Sequence, residues 1–270
     1  MMFPGAAADR GEAAYAIVGT PLDASTTFRP GTRFGPREIR HVAASFSDYD
    51  QHTGLRFTNL AVHDHGDIKP GSDPAEYLDF LSGTLSDYRR EGTVPIVIGG
   101  EHTATVAGLR ACSPDVYVCL DAHLDLRESY AGNPLSHATV THHALDIADE
   151  VVVLGGRSGS EDGWDRARDD DRVTVVPPED VAGWEPSFGD RDVYLSVDID
   201  AADPGFAPGT GTPEPFGLTP ATMHDVVREV APSTVGFDVV EVNDRDDGQA
   251  AVLASKLLRA FVFAHAASSD

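Results

Sequence analysis

The chain alternates between short apolar runs and longer segments in which apolar residues recur at helical spacing. Apolar runs rich in Val and Ile predict buried strands at residues 15–19, 60–62, 94–98, 116–120, 151–154, 173–176, 193–197 and 233–240. Apolar residues three or four positions apart, several of them behind a proline, predict helices at residues 36–42, 74–91, 105–111, 137–148, 220–230 and 249–264. Residues 161–171 are highly charged, and we expect a surface stretch there.

Strands that alternate with helices are typical of a parallel sheet covered on both faces. We therefore predict an α/β fold of three layers (αβα) with a parallel sheet of about eight strands. No repeat, low-complexity tract or linker divides the sequence, so residues 1–270 are interpreted as a single domain. Residues 1–13 precede the first predicted strand, and we expect them to form a loose leader.

Three of the predicted strands run directly into side chains that bind metals. The strand at 94–98 leads to Gly-Gly-Glu-His-Thr, the one at 116–120 to Asp-Ala-His-Leu-Asp, and the one at 193–197 to Asp-Ile-Asp. Because ligands bind outside the carboxyl ends of the strands in such sheets, we expect these side chains to share one cleft. The candidate ligands are His102, Asp121, His123, Asp125, Asp198 and Asp200.

The candidate ligands supply carboxylate oxygens and imidazole nitrogens but no thiolate. Such a set suits Mn²⁺, Mg²⁺, Zn²⁺ or Fe²⁺, and its many carboxylates favour Mn²⁺ or Mg²⁺. Six ligands are too many for one catalytic ion with an open position, so we predict two ions, about 3.5–4 Å apart, bridged by shared carboxylates. A water between two such ions becomes hydroxide near neutral pH, which indicates metal-assisted hydrolysis.

The composition argues against several other classes of protein. The chain carries 44 acidic and 20 basic residues, a net charge of −24 at pH 7, and this argues against a nucleic-acid partner. So acidic a surface is suited to high salt, and we expect a halophilic source. No run of about 20 continuous apolar residues predicts a membrane span. With no recognisable signal peptide and only two cysteines, a cytoplasmic protein is expected.

The three metal motifs resemble those of the ureohydrolase family, which contains arginases and agmatinases, and the resemblance spans nearly the whole chain. Weaker matches lie at residues 29–36, 209–213 and 238–243. The resemblance implies an arginase-like fold and two Mn²⁺ ions per chain. It implies that one ion binds His102, Asp121, Asp125 and Asp198, and the other Asp121, His123, Asp198 and Asp200.

The resemblance also implies roles in the reaction. A hydroxide that bridges the two ions would attack the guanidinium carbon of the substrate, and Asp125 would orient it and take its proton. His137 would shuttle protons, and Glu241 would pair with the guanidinium, which a carboxylate can hold through two hydrogen bonds. Asn133, which lies in the same segment as His137, is a further candidate for substrate binding.

Two positions depart from the family pattern. Glu101 stands where the family usually has Asp, directly before the first metal-binding histidine, and we expect it not to bind metal itself. Phe216 stands where the family tends to have Gly, and we expect it to narrow the pocket or to alter a loop.

The segments at 125–130 and 133–138 are similar to those of prokaryotic, particularly archaeal, agmatinases. The loops at 126–130 and 157–160 lack the residues that hold the amino-acid end of the substrate in arginases. The resemblance therefore implies hydrolysis of agmatine to putrescine and urea, a step of polyamine metabolism. Arg127 keeps open a substrate with an acidic tail, guanidinobutyrate or formiminoglutamate. Arginine and an N-substituted agmatine also remain alternatives.

Family members are commonly trimers or hexamers, so we expect a homo-oligomer that acts on a small guanidino compound. Two other classes of function remain open from the sequence. One is a binding protein on this fold without activity. The other is an amidohydrolase that acts on acetylated polyamines through one Zn²⁺ ion.

Overall fold

One sheet of eight parallel strands forms the centre of the protein. The computed structural model describes residues 1–268. Its strands are β1 (Tyr15–Thr20), β2 (Val62–Asp67), β3 (Val94–Gly99), β4 (Val116–Leu120), β5 (Glu150–Leu154), β6 (Val173–Val176), β7 (Val193–Asp198) and β8 (Thr234–Val240). Its helices are α1 (Gly35–Ala43), α2 (Pro74–Arg90), α3 (Thr105–Cys112), α4 (Val140–Ala144), α5 (Glu161–Asp169), α6 (Pro220–Val230) and α7 (Gln249–Ser268).

The helices cover both faces of the sheet, as parallel strands require. Successive strand residues point to opposite faces, so Ile17 packs with α1, α6 and α7, while its neighbours Ala16 and Val18 pack with α2 and α3. Helices α4 and α5 complete the second layer beside β4 and β5. The predicted three-layer α/β fold with about eight parallel strands is confirmed.

The strand order places the functional candidates side by side. Across the sheet the order is β2-β1-β3-β8-β7-β4-β5-β6, and every neighbouring pair is parallel. The chain leaves β3 and β4 for α3 and α4 on one face of the sheet, but leaves β7 and β8 for α6 and α7 on the other face. The side of the connections therefore changes between β3 and β8 and again between β7 and β4. Crevices at such a change are where open α/β sheets bind ligands. The four strands involved are the ones whose carboxyl ends carry the predicted metal-binding motifs and Glu241.

Three elements differ from the sequence-based prediction by more than their end residues. Strand β2 begins at Val62 and contains the polar segment that was expected to follow it. The helix expected at 137–148 is a 3₁₀ turn at His137–Thr139 followed by the short α4. The charged stretch expected at 161–171 contains α5, because Ser160 caps its amino end and Trp164 and Ala167, three residues apart, pack on the core.

The amino-terminal residues are packed against the fold, and the expectation of a loose leader is wrong for them. Phe3 is 1% exposed and lies 5.6 Å, between ring centroids, from Phe57. The backbone amide of Phe3 donates to the buried carboxylate of Asp64, and Ala7 pairs with His63 at the edge strand. The buried ring of Phe3 and its bonded amide hold this segment against the fold.

Helix α7 is long and apolar enough to cross a membrane by length and composition alone. Within the fold, however, 61% of its apolar 18-residue stretch is buried. Leu257, Leu258 and Phe261 belong to the same core cluster as Phe237 of the sheet. The apolar character of the helix is thus accounted for by the core.

A buried ion pair between α1 and β2 provides a test of this packing. Arg40, 2% exposed, donates from Nε and Nη2 to the two carboxylate oxygens of Asp64, both at 2.8 Å. Replacing Arg40 by Leu leaves that carboxylate buried without its cation, and we expect a loss of about 3–5 kcal/mol of unfolding free energy. Arg37→Leu, which removes the exposed pair with Glu38, is expected to cost less than about 1 kcal/mol.

Urea unfolding of both variants at fixed salt measures the difference. Burial by itself raises the pKa of Asp64, but the bonds from Arg40 outweigh it and lower that pKa below its usual value. The stabilisation is therefore present at neutral pH and is lost as the pH falls through the native pKa. Equal losses in the two variants would contradict a structural role for the buried pair.

Candidate metal centre

Four side chains surround the first candidate metal position. His102 opens the 3₁₀ turn after β3, and its Nδ1 lies 3.2 Å from Asp121 Oδ2, 3.1 Å from Asp125 Oδ2 and 3.5 Å from Asp198 Oδ2. All four side chains are buried. They come from the ends of three strands, which explains why residues far apart in sequence converge here.

A second group lies beside the first and shares Asp121 with it. His123 Nδ1 lies 2.9 Å from Asp200 Oδ2 and 3.7 Å from Asp121 Oδ1. Asp121 thus directs one carboxylate oxygen to each group, as a bridging ligand does. Asp198 directs Oδ2 to the first group, while its Oδ1 accepts a hydrogen bond from the amide of Asp200.

The electrostatics of these groups call for cations. Burial, and then the charges of Asp200, Asp121 and Glu241, raise the pKa of Asp198 well above its usual value. Burial and Asp121 likewise raise the pKa of Asp125. Like charges in a low-dielectric interior repel strongly, and divalent cations close to the oxygens would compensate them.

One buried oxygen makes the same point. Asp121 Oδ2 accepts no hydrogen bond, although it is fully buried. An orphaned buried carboxylate oxygen is costly, and a metal ion at this position would satisfy it. Burial lowers the pKa of His102, but the neighbouring carboxylates Asp121 and Asp125 outweigh it and raise that pKa, so the imidazole also faces concentrated negative charge. The residues present therefore fit two hard or borderline divalent ions.

The back of His102 is held by a polar network that sets its tautomer. Nε2 lies 3.2 Å from Tyr117 Oη and 3.3 Å from Ser196 Oγ. The hydroxyls of Ser196 and Tyr194 both donate to Asp238. Because Ser196 gives its proton to Asp238, its oxygen can accept from Nε2–H of His102, which leaves Nδ1 free to bind a metal.

A cavity of about 200 Å³ opens beside the second group. Its lining includes His123, Asp125, Arg127, Tyr130, His137 and Thr212. The Nε2 atom of His137 lies 3.2 Å from the hydroxyl of Thr27, on the cavity wall. Asn133 is exposed and its amide bonds only to Leu135, so the structure does not bring it to the cavity.

Glu241 lies at the end of β8 in a strained backbone conformation, with φ of +61°. Its carboxylate is buried and accepts a hydrogen bond from the amide of His102 at 2.8 Å. The other oxygen, Oε2, faces Gly211, where a Cβ atom would lie 3.3 Å away. Asp125 is similarly strained, with φ of +48°. Such conformations cluster at functional sites, and here both occur at candidate site residues.

The two departures from the family pattern lie outside the metal groups. Phe216 is 85% exposed on a surface loop and does not line the cavity, so it does not narrow it. Glu101 is buried, but its carboxylate bonds to Ser25, Thr26 and Thr103 rather than to a ligand position.

Arg157 is an organising residue to which the sequence analysis assigned no role. Its guanidinium donates to the carbonyl oxygens of Asp200 and Glu214 at 2.8 Å and of Gly155 at 2.9 Å. Glu214 in turn places Oε1 3.6 Å from His123 Nε2. Arg157 thereby ties the ligand segment after β7 to a loop beside the second group. A lone arginine at a strand end carries no sequence signal for such main-chain contacts.

The match to known proteins agrees with this geometry. The arginase family model matches residues 13–264. The chain belongs to the arginase family. The predicted membership of the ureohydrolases is thus confirmed, and with it the expectation of a hydrolase of that family.

Individual relatives cover nearly the whole chain. This chain is 34% identical to an N(1)-aminopropylagmatine ureohydrolase of Thermococcus kodakarensis, over 92% of this chain and 89% of the relative. It is 34% identical to an agmatinase of Bacillus subtilis, over 92% of this chain and 90% of the relative. An agmatine ureohydrolase of Thermoplasma volcanium, 32% identical, superposes with a TM-score of 0.90, covering 99% of this chain and 95% of that structure.

The shared position of Asp121 yields a prediction about stability. Divalent ions that bind only the native state stabilise it, by roughly 2.7 kcal/mol when the free ion concentration is one hundred times Kd. This stabilisation raises the melting temperature. We expect MnCl₂ to raise the melting temperature of the chelator-treated wild type. Asp121→Asn is expected to abolish most of that rise, because it weakens both groups at once.

Calorimetry with and without metal checks this, with the exposed substitution Asp225→Asn as control. A full metal-induced rise in Asp121→Asn would show that this carboxylate does not hold the ions.

Proposed function

We propose that the protein is a two-manganese ureohydrolase that cleaves agmatine to putrescine and urea. The observation that carries the proposal is Asp121, a buried residue that is shared between two His/Asp groups. His123 of the second group lines a cavity whose wall also carries His137. A small guanidino compound fits there in size, and the charge of the ligands suits two divalent ions.

The proposed ligand sets follow the two groups. The first ion is assigned to His102, Asp121, Asp125 and Asp198, and the second to Asp121, His123, Asp198 and Asp200. When bound, the two ions would supply Lewis acidity and would lower the pKa of a bound water molecule. The carboxylate-rich donor set supports Mn²⁺.

The remaining chemistry falls to side chains of this chain. Glu241, buried and bonded to the amide of His102, is assigned to hold the guanidinium. Asp125 is assigned to orient the attacking water, since it lies both in the first group and on the cavity lining. His137 is assigned to carry a proton between the cavity and solvent through its imidazole, which is half-buried at the wall.

Agmatine is proposed as the substrate on two grounds. The similar proteins include an agmatinase, an agmatine ureohydrolase and an N(1)-aminopropylagmatine ureohydrolase. In addition, the loop at Ser158–Ser160, which lines the cavity, offers small and hydroxyl side chains instead of the acidic pair expected for an amino-acid substrate. An N-substituted agmatine remains within this proposal.

A guanidino acid is a second candidate, and Arg127 favours it. The side chain is exposed at the cavity, stacks on Tyr130 at 5.5 Å, and forms no ion pair within residues 1–268. A cation there would attract the carboxylate of guanidinobutyrate or formiminoglutamate.

We also infer a homo-oligomer, trimer or hexamer, that works in the cytoplasm of a halophile. The net charge of −24 supports a high-salt setting. Cys112 and Cys119 are both buried and free, which agrees with a reducing compartment. Mass measurement in concentrated KCl would determine the oligomeric state.

Measuring the products that Mn²⁺-loaded protein forms from each candidate substrate distinguishes between the candidates. We expect urea from agmatine at high KCl, with kcat/KM at least about tenfold above that for arginine or guanidinobutyrate, the equivalent of about 1.4 kcal/mol of discrimination. For formiminoglutamate, the product that is measured in the same series is formamide. Preference for an acidic substrate would overturn the agmatine assignment and would place Arg127 at the tail of the substrate.

The role of Glu241 predicts a selective kinetic loss. Glu241→Gln removes the charge from a bond to a guanidinium, and charged hydrogen bonds contribute about 1.5–3 kcal/mol. We expect kcat/KM to fall roughly tenfold to a hundredfold or more, while two metal ions remain bound.

The exposed substitution Glu185→Gln serves as the control and is expected to change neither rate nor metal content. Unchanged kcat/KM in Glu241→Gln would remove Glu241 from the substrate site.

A further inference from the structure

We propose that Glu101 is a positioning residue that acts through His137. Its carboxylate holds the loop of residues 22–27 that follows β1, and this loop fixes both the backbone and the ring of His137. The inference rests on the proposed function, in which His137 carries a proton. Glu101 is adjacent to His102 in sequence, yet its side chain serves the cavity wall rather than the metal groups.

The Glu101 carboxylate accepts five hydrogen bonds, four of them from the loop of residues 22–27 and one from Thr103. It is 1% exposed. Its Oε2 accepts from the amides of Ser25 at 2.6 Å and Thr26 at 3.2 Å, and from the Thr26 hydroxyl at 3.4 Å. Its Oε1 accepts from the hydroxyls of Ser25 and Thr103, both at 2.8 Å. Bonds from neutral donors to a buried carboxylate are charge-assisted and therefore strong, so they order the loop.

Ser25 connects this carboxylate to His137. A hydroxyl has a single proton, and Ser25 gives it to Glu101. The oxygen of Ser25 is then free to accept, and the backbone amide of His137 donates to it at 2.9 Å. Two residues further on, the Thr27 hydroxyl lies 3.2 Å from His137 Nε2. The same loop therefore fixes the backbone position of His137 and the orientation of its imidazole ring.

The main chain clamps the loop from the other side. The amides of Gly100 and Glu101 donate to the carbonyl oxygens of Thr20 and Leu22 at 2.7 and 2.9 Å. This approach is so close that a Cβ atom on Gly100 would lie 1.9 Å from the oxygen of Leu22. The backbone thus fixes the start of the loop, and the Glu101 side chain fixes its far part.

The length of the side chain matters for this reach. Aspartate at position 101 would be shorter by one methylene, about 1.5 Å. It would withdraw the carboxylate from the amides of Ser25 and Thr26. In this chain we therefore expect Glu101→Asp to lose loop order as well, despite keeping the charge.

A double-mutant cycle tests whether Glu101 acts through His137. Glu101→Gln keeps the size but offers one acceptor oxygen in place of two. In the Mn²⁺-loaded enzyme we expect kcat to fall about tenfold or more, but by less than the factor of about 10²–10⁴ that removal of a general acid–base group itself typically costs. We expect KM to change less than about threefold. In the His137→Ala background the same substitution is expected to cost less than about twofold, because the group it positions is gone.

Two controls separate this from general damage. Glu150→Gln alters a half-buried glutamate that pairs with Arg191. Glu150 lies at the amino end of β5, away from the site at the carboxyl ends of the strands. We expect this substitution to leave the rate unchanged, with His137 present or replaced by Ala. Metal content is measured on every variant, and we expect Glu101→Gln to retain the wild-type amount. Lost metal, or an equal loss of rate with and without His137, would overturn the proposal.

Amide hydrogen exchange gives a readout that does not depend on turnover. In metal-free protein, Glu101→Gln is expected to speed exchange at the amides of Ser25 and His137 at least about tenfold, while strand β4 stays protected. Unchanged exchange at these amides would also overturn the proposal. If His137→Ala turns over at the wild-type rate, the proton-carrying role fails instead, and the exchange data still decide whether Glu101 holds the loop.

Discussion

The site is dominated by the repulsion among carboxylates buried at the ends of adjacent strands. Asp121, Asp125, Asp198, Asp200 and Glu241 are all at most 9% exposed. Within residues 1–268 no lysine or arginine forms an ion pair with them, and the basic side chains within 4 Å of the four aspartates are the imidazoles of His102 and His123. Such a cluster is unfavourable unless divalent ions occupy it. In the metal-bound enzyme that we propose, folding and metal binding would therefore be coupled.

The sheet makes this concentration of charge geometrically possible. Strands β3, β8, β7 and β4 are neighbours, so short segments from distant parts of the sequence end at one crevice. At Asp125 and Glu241 the chain turns with a positive φ to direct a carboxylate into the site. Such strain persists only where the surroundings over-determine it. Here the amide of Glu241 donates to the carbonyl oxygen of Gly100, and the carbonyl oxygen of Asp125 accepts from the amide of His142.

Much of this could be predicted from the sequence, for identifiable reasons. Buried parallel strands are continuous apolar runs, so β4 and β6 were predicted with their observed bounds. Candidate ligands that directly follow such a run, as Asp121 follows β4, are easy to recognise. Helix α5 was missed because two apolar side chains among many charges suffice to anchor it. The packing of Phe3 and the contacts of Arg157 and Glu101 were also missed. They depend on pairs distant in sequence and leave no local pattern.

The stoichiometry of metal binding tests the central claim most directly. Chelator-treated protein would be titrated calorimetrically with MnCl₂ at fixed pH and salt, and the metal retained after gel filtration would be counted. Our account requires two ions per chain, because Asp121 serves two groups and one divalent ion would leave one of them uncompensated. Saturation at a single ion per chain would contradict it, and would make one of the two groups a polar cluster without a metal.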